Sequence, residues 1–489
     1  MPLLYDWLQK TLDGRGAGNT AIVYRDTYLS WRGLAHRVDR RAQELATMGV
    51  VQGSWVGVML GNVPELAILA LAVSKIGGVL VPLDPTTSAR DLDMILEAAP
   101  LRALVTRPHG GDAPSSTPAP ALRGEGARRS GPRFVAESRR RLQGTLLTVH
   151  LYRRSPIEPP SGFIPSAVLF TADAGGDPKG VVRSEQELAA IGETVADALE
   201  LAAEERVLGA APLFHSYGFD LGLLAPLRQG ASMYLEDEVS SKRVTKLLRD
   251  EKIDVFPGSP ALFGTLAREV AVKPLVAKNA RFVSSGSELS VAVADAFHER
   301  FHVRLLSAYH TTETGTVALE RSGKEPSTVG RPLTGVEVRL GDGGRGQAAP
   351  QPLWVRSRGT SSVFVPALAL PPRPGKVPIG RADAEGWFRT GDLGYFDKAG
   401  RLVLAGREDD VVKVDGKRVA LGEVAGCLEG FAKVKAAEAR IMLDDFDGPV
   451  LVARVVVAGA CRAEELIDHC ARNLAPYKVP RQIEFCDAL

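Results

Sequence analysis

The stretch SWVGVMLGNVPELAILALAVSKIGGVLVPLD, residues 54–84, decides the fold class of this chain. Its first seven residues, 54–60, are almost all apolar, which is typical of a buried strand. Asn62 and Pro64 then open a helix pattern that continues to Lys75. GGVLVPLD, residues 77–84, returns to a strand pattern. This order predicts a βαβ unit, and hence a parallel sheet covered by helices.

The flanking segments extend the α/β pattern and divide the chain into domains. Ser30 is a candidate N-cap for a helix whose apolar face is Leu34, Val38, Ala42 and Leu45. Residues 107–133 are rich in Gly, Pro, Ser and Arg and predict a surface loop. Short alternating runs over 329–365 predict an antiparallel, barrel-like β region, and a compact α+β segment follows it. We therefore predict a large N-terminal domain, 1–408, and a small mobile C-terminal domain, 409–489.

The composition is that of a soluble globular protein. The chain has 489 residues, of which 45% are apolar and 24% charged, which predicts two or three domains. A net charge of +2 gives no field that would indicate nucleic acid or an anionic membrane as a partner. The N-terminus lacks a signal-peptide pattern, and Lys75 interrupts the longest apolar run, so we expect a cytoplasmic protein without a membrane span. The four cysteines lack CxxC spacing and predict ordinary thiols.

The loop TADAGGDPKG, residues 171–180, is a candidate anion site. Its glycines would let main-chain N–H groups converge on a phosphate, and Lys179 would add a positive charge. The loop lacks the GxxxxGK[ST] pattern of a P-loop, and by itself it is more typical of a surface turn. Asp173 is an unexpected negative charge within it.

Two further polar segments could act on the same kind of ligand. In SAYHTTETG, residues 307–315, Thr311 and Thr312 could donate to a phosphate while Glu313 holds Mg²⁺, which prefers oxygen ligands. In WFRTGDLGYFDKAGRLVLAGREDD, residues 387–410, Asp392 could accept the two hydroxyls of a ribose. The alternatives are a polar strand-to-loop turn for the first segment and a hairpin for the second.

Together and in this order, these segments resemble the adenylate-forming superfamily of acyl-CoA and aryl-CoA synthetases, peptide-synthetase adenylation domains and luciferases. The resemblance spans nearly the whole chain and includes four more segments: PLFHSYG (212–218), SSGSEL (284–289), TVGRPLTG (328–335) and LAPYKVPRQIEF (474–485). It implies an enzyme that joins a carboxylic acid to ATP as an acyl-adenylate and then lets a thiol displace AMP.

The resemblance also implies roles for individual residues. The catalytic residues would be Lys179, His215, Thr312 and Glu313, with Thr312 at the α-phosphate and Glu313 on Mg²⁺. The nucleotide would contact Thr171, Gly176, Ser285, Gly286, Tyr309, His310, Thr312, Asp392 and Arg407. The acyl pocket would comprise His215 as its gate, Tyr217, Phe219, Gly286 and Ala308. Asp409 would be the hinge, and Lys413, Gly416 and Lys417 would face coenzyme A or its pantetheine arm. Without the resemblance, each of these residues has a purely structural alternative. His215 could be a core histidine, Asp409 a solvated acid, and the lysines could protect an exposed strand edge.

The sequence departs from the family pattern at three places. Ala172, Ala174 and Gly175 replace hydroxyl residues that normally bond the β- and γ-phosphates, and Asp173 replaces a glycine by a carboxylate. The lost hydrogen bonds and the added negative charge predict weaker ATP binding. The sequence ends at Leu489, before the Gly-Lys pair of the family, so we expect adenylation to lack its main cation. His310 stands in place of a glycine, on the side where adenine would bind.

Three functions follow as hypotheses. The first is an acyl-CoA or aryl-CoA ligase that uses ATP, Mg²⁺ and coenzyme A on a small carboxylic acid, for which the resemblance favours an aromatic acid. The second is an ATP-independent acyltransferase on the same scaffold, which moves an acyl group between coenzyme A and an acyl carrier protein. The third is a non-catalytic protein that binds an acyl group or a nucleotide.

Overall fold

The structure is a computed structural model, which describes residues 3–14, 16–107, 136–153, 163–172, 178–269, 276–277, 279–341, 350–365, 381–408, 411–414, 417–444 and 448–486. The described chain is a mixed α/β protein that divides into two compact units. Unit 1 comprises Met1–Phe170, Gly180–Glu238 and Val363–Ala369, and unit 2 comprises Thr171–Lys179, Val239–Ser362 and Leu370–Leu489. None of the described helices is both long enough and apolar enough to span a membrane.

Unit 1 contains helices and strands that alternate along the chain, and elements of both units are labelled in chain order. Its helices are α1 (Leu3–Asp13), α2 (Trp31–Thr47), α3 (Pro64–Ile76), α4 (Ala89–Ala98), α5 (Glu185–Ala198), α6 (Ser216–Phe219) and α7 (Ala225–Gln229), with a π-helical turn over Asp220–Leu224. Its strands are β1 (Thr20–Tyr24), β2 (Thr27–Ser30), β3 (Trp55–Met59), β4 (Val79–Leu83), β5 (Leu101–Thr106), β6 (Ser138–Arg141), β7 (Thr148–Leu151), most of β8 (Pro165–Ala172) and β9 (Pro178–Ser184), β10 (Arg206–Gly209), β11 (Ser232–Leu235) and β19 (Val363–Val365).

The predicted βαβ unit is confirmed. Strands β3 and β4 pair in parallel, from Trp55 opposite Val79 to Met59 opposite Leu83, and α3 connects them. They lie in an eight-stranded sheet of order β19-β9-β8-β4-β3-β5-β7-β6. Unit 1 also contains the neighbouring strands β10-β11-β1-β2, in that order, which belong to another sheet. Residues 66–74 of α3 are all buried, which explains why that helix is apolar on every side.

Serine caps begin helices of unit 1, and the predicted cap at Ser30 is confirmed. Ser30 caps α2 by accepting a hydrogen bond from the Gly33 N–H, and the predicted apolar face of α2 is buried. Ser184 and Glu187 form a reciprocal capping box at the start of α5. The loop predicted over 107–133 lies, apart from Arg107, outside the described residues.

Unit 2 has α/β, antiparallel and α+β parts. Its helices are α8 (Ser241–Asp250), α9 (Pro260–Glu269), α10 (Val291–Phe301), α11 (Leu421–Glu429) and α12 (Ala463–Asn473), and residues Pro476–Lys478 form a 3₁₀ turn. Its strands are β12 (Val255–Gly258), β13 (Arg281–Ser284), β14 (Leu305–Thr311), β15 (Gly315–Leu319), β16 (Arg331–Pro332), β17 (Val336–Leu340), β18 (Gln351–Ser357), β20 (Phe388–Phe396), β21 (Leu402–Arg407), β22 (Val411–Val414), β23 (Lys417–Ala420), β24 (Val434–Asp444), β25 (Gly448–Val457) and β26 (Gln482–Phe485).

In unit 2, the first strands run in parallel from β12 through β13 to β14, and β15 and β16 extend them antiparallel. Phe256, Phe263, Phe282 and Phe297 pack edge to face beneath them, with ring centroids 5.1–5.9 Å apart. Strands β17-β18-β20-β21 form the antiparallel sheet expected after residue 329, whereas β19 at the end of the predicted range pairs with β9 in unit 1.

The last part of unit 2 is the predicted α+β segment. Strands β22 and β23 form a hairpin, and β24-β25-β26 form a three-stranded sheet that packs with α11 and α12. Its core includes Val424, Leu428, Leu451, Leu466 and Cys470, all at most 1% exposed. The compact α+β segment that the sequence predicts after the antiparallel region thus occurs.

Candidate active site

A cavity of about 300 Å³ in unit 2 collects most of the predicted nucleotide-binding residues. It is lined by residues from eight separate segments, which include Ser285, Gly286, Ser287, Ala308, Tyr309, His310, Asp392, Arg407 and Lys413. These residues come from the loop after β13, from β14, from the β20–β21 hairpin and from β22. The volume lies at the lower end of the range of small-molecule pockets. The structure therefore brings these predicted residues to one place, and the roles assigned to them stay predictions.

Asp392 is the charged centre of this cavity. Arg407 Nη1 donates to its Oδ1 over 2.8 Å, and the Tyr309 hydroxyl donates to its Oδ2. Asp392 is 5% exposed and Tyr309 1% exposed, so the two contacts are shielded from water. Burial, and next the nearby Asp392 charge, raise the pKa of Tyr309 well above its usual value. The phenol therefore stays protonated and acts as a donor, while the remaining lone pairs of Asp392 can accept ligand hydroxyls.

The β20–β21 hairpin that was the structural alternative for residues 387–410 is also present. Asp392 lies on β20 opposite Arg407 on β21, and the turn follows at Asp397 and Gly400. The two interpretations are compatible, because the hairpin is what aligns Asp392 with Arg407.

The loop after β13 forms one wall of the cavity. Ser285 donates from Oγ to the carbonyl of Ala308 over 2.9 Å, which ties the loop to β14. Gly286 has a φ of 99°, a conformation that favours glycine. A glycine at this position lets the loop turn sharply at the cavity wall.

Lys413 and Lys417, which the sequence assigns to one pantetheine site, lie in different surroundings. Lys413 lines the cavity, donates to the carbonyl of His310 over 3.4 Å and lies 5.9 Å from the Tyr309 ring centroid. Lys417 instead lies 4.5 Å from the ring centroid of Tyr477, in a cation–π contact. We therefore restrict the interpretation as a ligand contact to Lys413.

His310, the substitution for glycine, is buried at 5% exposure. Its Nδ1 lies 3.3 Å from Thr316 Oγ1, on the opposing strand β15. The ring is thus held by the sheet, and it also contributes to the cavity wall. Its place on the adenine side of a nucleotide stays a prediction.

Lys179 and Glu313 form a buried ion pair. The Lys179 Nζ donates to Glu313 Oε1 over 2.7 Å, and the two side chains are 8% and 0% exposed. Glu313 stands in the turn between β14 and β15, where Thr311 and Thr314 hydrogen bond to each other and Thr312 is buried. The sequence predicts a phosphate ligand for Lys179 and a metal for Glu313, and it gives no signal that these two side chains meet.

The predicted acyl-pocket residues are divided between the units, and three of them lie in unit 1. His215 is the N-cap residue of α6, while Tyr217 and Phe219 within that helix are 6% and 0% exposed. The helix runs directly into the π-helical turn over Asp220–Leu224, a feature that is frequent at functional sites. Phe219 is packed as a core residue, and the gate role of His215 stays a prediction.

Asp220 in this turn forms a second buried pair, which the sequence did not reveal. Arg183 on β9 binds both of its carboxylate oxygens, and both side chains are fully buried. Burial raises the pKa of Asp220, against the lowering effect of Arg183. The pair joins the π-helical turn to β9, the strand that contains Gly180. Packing explains the glycine at position 180, because a Cβ there would lie 2.6 Å from the side chain of Val365.

Several predicted site residues lie outside the described residues. These are the loop residues 173–177, with Asp173 and Gly176, as well as the hinge Asp409 and Gly416. Thr171, at the end of β8, is described and half-buried. The roles of all these residues remain sequence predictions.

Other cavity residues received no role from the sequence. They are Glu288, Leu289, Ser307, Pro326, Ser327, Thr328, Val329, Leu404, Gly406, Val412, Ile441 and Pro449. Thr328 and Val329 belong to the TVGRPLTG segment, so a role could have been sought there. Ile441 and Pro449, on β24 and β25, belong to none of the motifs, and only tertiary structure brings them to the cavity.

The residues present fit a magnesium ion that arrives with a nucleotide. Mg²⁺ keeps several waters and is usually bound by one or two carboxylates plus substrate phosphates. Within the described ranges, no group of three or more His, Cys, Asp or Glu side chains could hold a metal ion, so a metal at Glu313 would have this one carboxylate as its protein ligand. That donor set suits a metal–nucleotide complex better than a resident ion.

Comparisons with known proteins find relatives over nearly the whole chain. The chain is 28% identical to an octahydroindenyl-propanoyl:CoA ligase of Rhodococcus jostii, over 96% of this chain and 92% of the relative. It is also 28% identical to an L-proline:L-prolyl-carrier-protein ligase of Streptomyces coelicolor, over 97% and 91%. A malonyl-CoA ligase solved with methylmalonyl-CoA and AMP has a TM-score of 0.79 at 26% identity, with 99% of both chains covered.

The family models match both parts of the chain. Residues 437–489 match the model of the AMP-binding enzyme C-terminal domain. Residues 8–363, which is more than half of the chain, match the AMP-binding enzyme model. The chain therefore belongs to the AMP-binding enzyme family, as the resemblance of its motifs implied.

Proposed function

We propose that this protein is an acyl-CoA ligase-like enzyme that forms an acyl thioester through an acyl-adenylate. The observation that carries the proposal is the convergence of Tyr309, Asp392, Arg407 and Lys413 on one cavity of about 300 Å³. A buried carboxylate held by an arginine and a phenol is suited to a ribose, since it accepts two hydroxyls without reorganising.

In the first half-reaction, an oxygen of the substrate carboxylate attacks the α-phosphorus of ATP, and the bond to pyrophosphate breaks. Bound Mg²⁺ would neutralise charge on the phosphates, and Glu313 would be its protein ligand. Thr312, one residue before Glu313 and 6% exposed, would donate to the α-phosphate. Lys179 would pair with the phosphates that leave.

In the second half-reaction, a thiolate attacks the acyl carbonyl, and the bond between the acyl carbon and AMP breaks. Lys413 is the candidate contact for the thiol-bearing arm, because its ammonium reaches the cavity at the Tyr309 ring. The names of the relatives support coenzyme A or a carrier protein as the acceptor. For the acid we keep the preference for an aromatic carboxylate.

A domain boundary after residue 408 is part of the proposal. Glu408 is held to β20, because Arg389 binds its carboxylate and its N–H donates to the carbonyl of Gly391 over 2.8 Å. A hinge at Asp409 would thus begin where these contacts end. Residues 409–489 would then move between the two half-reactions as one body.

One alternative function has a specific observation in its favour. The phosphate loop has no hydroxyl residue at positions 172–175 and carries Asp173, and its lysine is paired with Glu313. An ATP-independent acyltransferase, which passes an acyl group from coenzyme A to a carrier protein, would need neither contact. The ligase remains the primary proposal, because the Asp392 carboxylate is placed to accept ribose hydroxyls and a reaction without a nucleotide would not use it.

Exchange of labelled pyrophosphate into ATP, driven by a panel of aromatic and aliphatic acids, tests the ligase. At least one acid should raise exchange above the acid-free rate. Asp392→Asn should raise the KM for ATP roughly 10- to 150-fold, because a hydrogen bond to a charged group is worth about 1.5–3 kcal/mol. Asp397→Asn is the matched control, since Asp397 hydrogen bonds to Ala399 and Arg401 within the hairpin turn, and it should leave the KM for ATP unchanged.

The outcomes separate the hypotheses. Exchange without any response to Asp392→Asn would remove the assigned role of this carboxylate. An absence of exchange across the whole panel would refute the ligase. In that event, loading of a phosphopantetheinylated carrier from acyl-CoA without ATP would establish the acyltransferase, and binding without turnover would leave the non-catalytic protein.

A further inference from the structure

The side chain of Asn62 forms three hydrogen bonds to one loop of unit 1. Its Nδ2 donates to the carbonyls of Gly209 and Ala211 over 2.8 and 2.9 Å, and its Oδ1 accepts the N–H of Leu213 over 2.8 Å. Asn62 is 4% exposed and lies 147–151 positions before these residues in the chain. The amide therefore uses both of its N–H groups and its oxygen on the backbone of a distant segment.

This loop has irregular structure, which is why it needs partners from elsewhere. It connects β10, which ends at Gly209, to α6, which begins at Ser216. The backbone groups of a buried irregular segment must be paired by side chains or by water. The Gly209 carbonyl also accepts the Glu236 N–H over 3.3 Å, so the start of the loop has a second anchor. The bonds from Asn62 extend that anchoring into the middle of the loop.

The loop in turn supports α6, the helix that His215 begins. The His215 N–H donates to the Pro212 carbonyl over 3.0 Å, and the His215 carbonyl accepts the Phe219 N–H over 2.8 Å. A Cβ at Gly218 would lie 2.1 Å from the Pro212 carbonyl oxygen, so glycine is what allows the helix to approach the loop this closely. The placement of His215 therefore depends on the placement of the loop backbone.

The other end of α6 is anchored separately. Asp220 follows the helix directly, and Arg183 of β9 binds both of its carboxylate oxygens. The four-residue helix thus lies between the loop that Asn62 binds and the turn that Arg183 binds. A shift of the loop would tilt the helix against the anchored turn and change the directions of His215 and Tyr217.

We propose that Asn62 is a positioning residue for the acyl pocket and that it sets which carboxylic acids fit there. The inference rests on the proposed function, which places His215 and Tyr217 at that pocket. Asn62 acts on them through the backbone of the loop, and it is not among the described residues that line the nucleotide cavity of unit 2. It should therefore control the selectivity for the acid and leave nucleotide binding unchanged.

Pyrophosphate exchange by the full chain, with pairs of acids that differ by one methylene, tests this assignment. Asn62→Gln keeps the amide but adds a methylene to the side chain, so the loop must shift. The ratio of kcat/KM between the two acids of a pair should change roughly 10- to 100-fold, since small displacements and single methylenes have effects of this size. Asn62→Ala removes all three hydrogen bonds and should change the ratio by at least as much. The KM for ATP should stay that of wild type in both variants.

Arg41→Met is the matched control for a purely structural effect. Arg41 is also 4% exposed in unit 1, and it binds the Glu44 carboxylate and the carbonyl of Gln143. Its replacement should lower the thermal stability, as Asn62→Ala does, but it should keep the ratio between the acids. If Asn62→Ala does not fold, Asn62→Gln decides the question, because it retains the hydrogen-bonding groups.

A loss that is equal for every acid, or an unchanged ratio in the folded Asn62 variants, would overturn the positioning role and leave the ligase intact. Calorimetric binding of the same acids without ATP separates this failure from that of the proposed function. If wild type catalyses no exchange but binds the acids with a preference that Asn62→Gln alters, the ligase is refuted and the positioning role is supported. If wild type neither exchanges nor binds any of the acids, both are refuted.

Discussion

Replacement of Tyr309 by phenylalanine isolates one hydrogen bond in the candidate site. The phenol is 1% exposed and donates to Asp392 Oδ2. Phe keeps the ring and its packing, so the variant removes only the hydroxyl and its contact. A hydrogen bond to a charged group contributes about 1.5–3 kcal/mol, and we expect Tyr309→Phe to lower the free energy of unfolding by that amount.

The raised pKa of Tyr309 determines how the stability difference between wild type and Tyr309→Phe changes with pH. Burial and Asp392 raise the pKa of Tyr309 in the folded protein, whereas an unfolded tyrosine titrates near its ordinary value of about 10. Below pH ~10 both states hold the proton, and the contribution of the phenol to stability is complete. Above it the unfolded state releases the proton first, so the free energy of unfolding falls as pH rises. The difference between wild type and Tyr309→Phe should therefore shrink above pH ~10.

Urea unfolding of both proteins at a series of pH values from 8 to 11 measures the difference directly. Tyr395→Phe is the matched control, because Tyr395 is half-buried on the same strand as Asp392. That control should change the free energy of unfolding by less than about 0.5 kcal/mol at every pH. A Tyr309→Phe effect as small as that of the control, or one that stays constant through pH 11, would refute the donor role of the phenol.

Further predictions concern buried charges and a helix cap outside the cavity. Lys478→Met should lower the free energy of unfolding, measured with urea, by about 3–5 kcal/mol. The reason is that Lys478 and Glu423 form a buried ion pair over 2.9 Å, with exposures of 3% and 7%. The double variant Lys478→Met/Glu423→Leu should recover most of that loss. Arg183→Met should destabilise by a similar ~3–5 kcal/mol and lose the fixed π-helical turn, and Asp220→Asn in that background should partly restore thermal stability. Ser184→Ala should cost about 1 kcal/mol and Ser184→Gly only a few tenths, and a reversed order in thermal melts would contradict the capping box.

The fold was predictable where local pattern and tertiary burial coincide. Residues 54–84 are apolar over whole elements, so a sequence window already contains the information that the two strands and the helix are buried. The cap at Ser30 is similarly local, because the serine and the N–H that it accepts are three residues apart. The bounds of β24 and β25 were less predictable, since these strands extend to residues without a regular apolar alternation.

The candidate site was predictable only as a set of positions. Motif order placed Tyr309, Asp392 and Arg407 on one ligand, and the cavity brings them together. The pairing of charges was not predictable, because Lys179 and Glu313 each carry a separate role in the motif and lie 134 residues apart. The same holds for Arg183 and Asp220, of which neither belongs to a catalytic motif. Long-range ion pairs depend on side-chain geometry that no local window contains.

The two ion pairs of the candidate site have a common consequence for ligand binding. Arg407 with Asp392 and Lys179 with Glu313 keep each buried charge compensated before any ligand arrives. A ligand therefore gains affinity only from the difference between its own contacts and the internal contacts that it replaces. A ribose can add hydrogen bonds to Asp392 without displacing Arg407, since each carboxylate oxygen has a second lone pair. Under the proposed roles, a triphosphate that binds Lys179 displaces its contact with Glu313, and a bound Mg²⁺ would supply a replacing positive charge. We therefore expect AMP to bind without a divalent cation and ATP to require one.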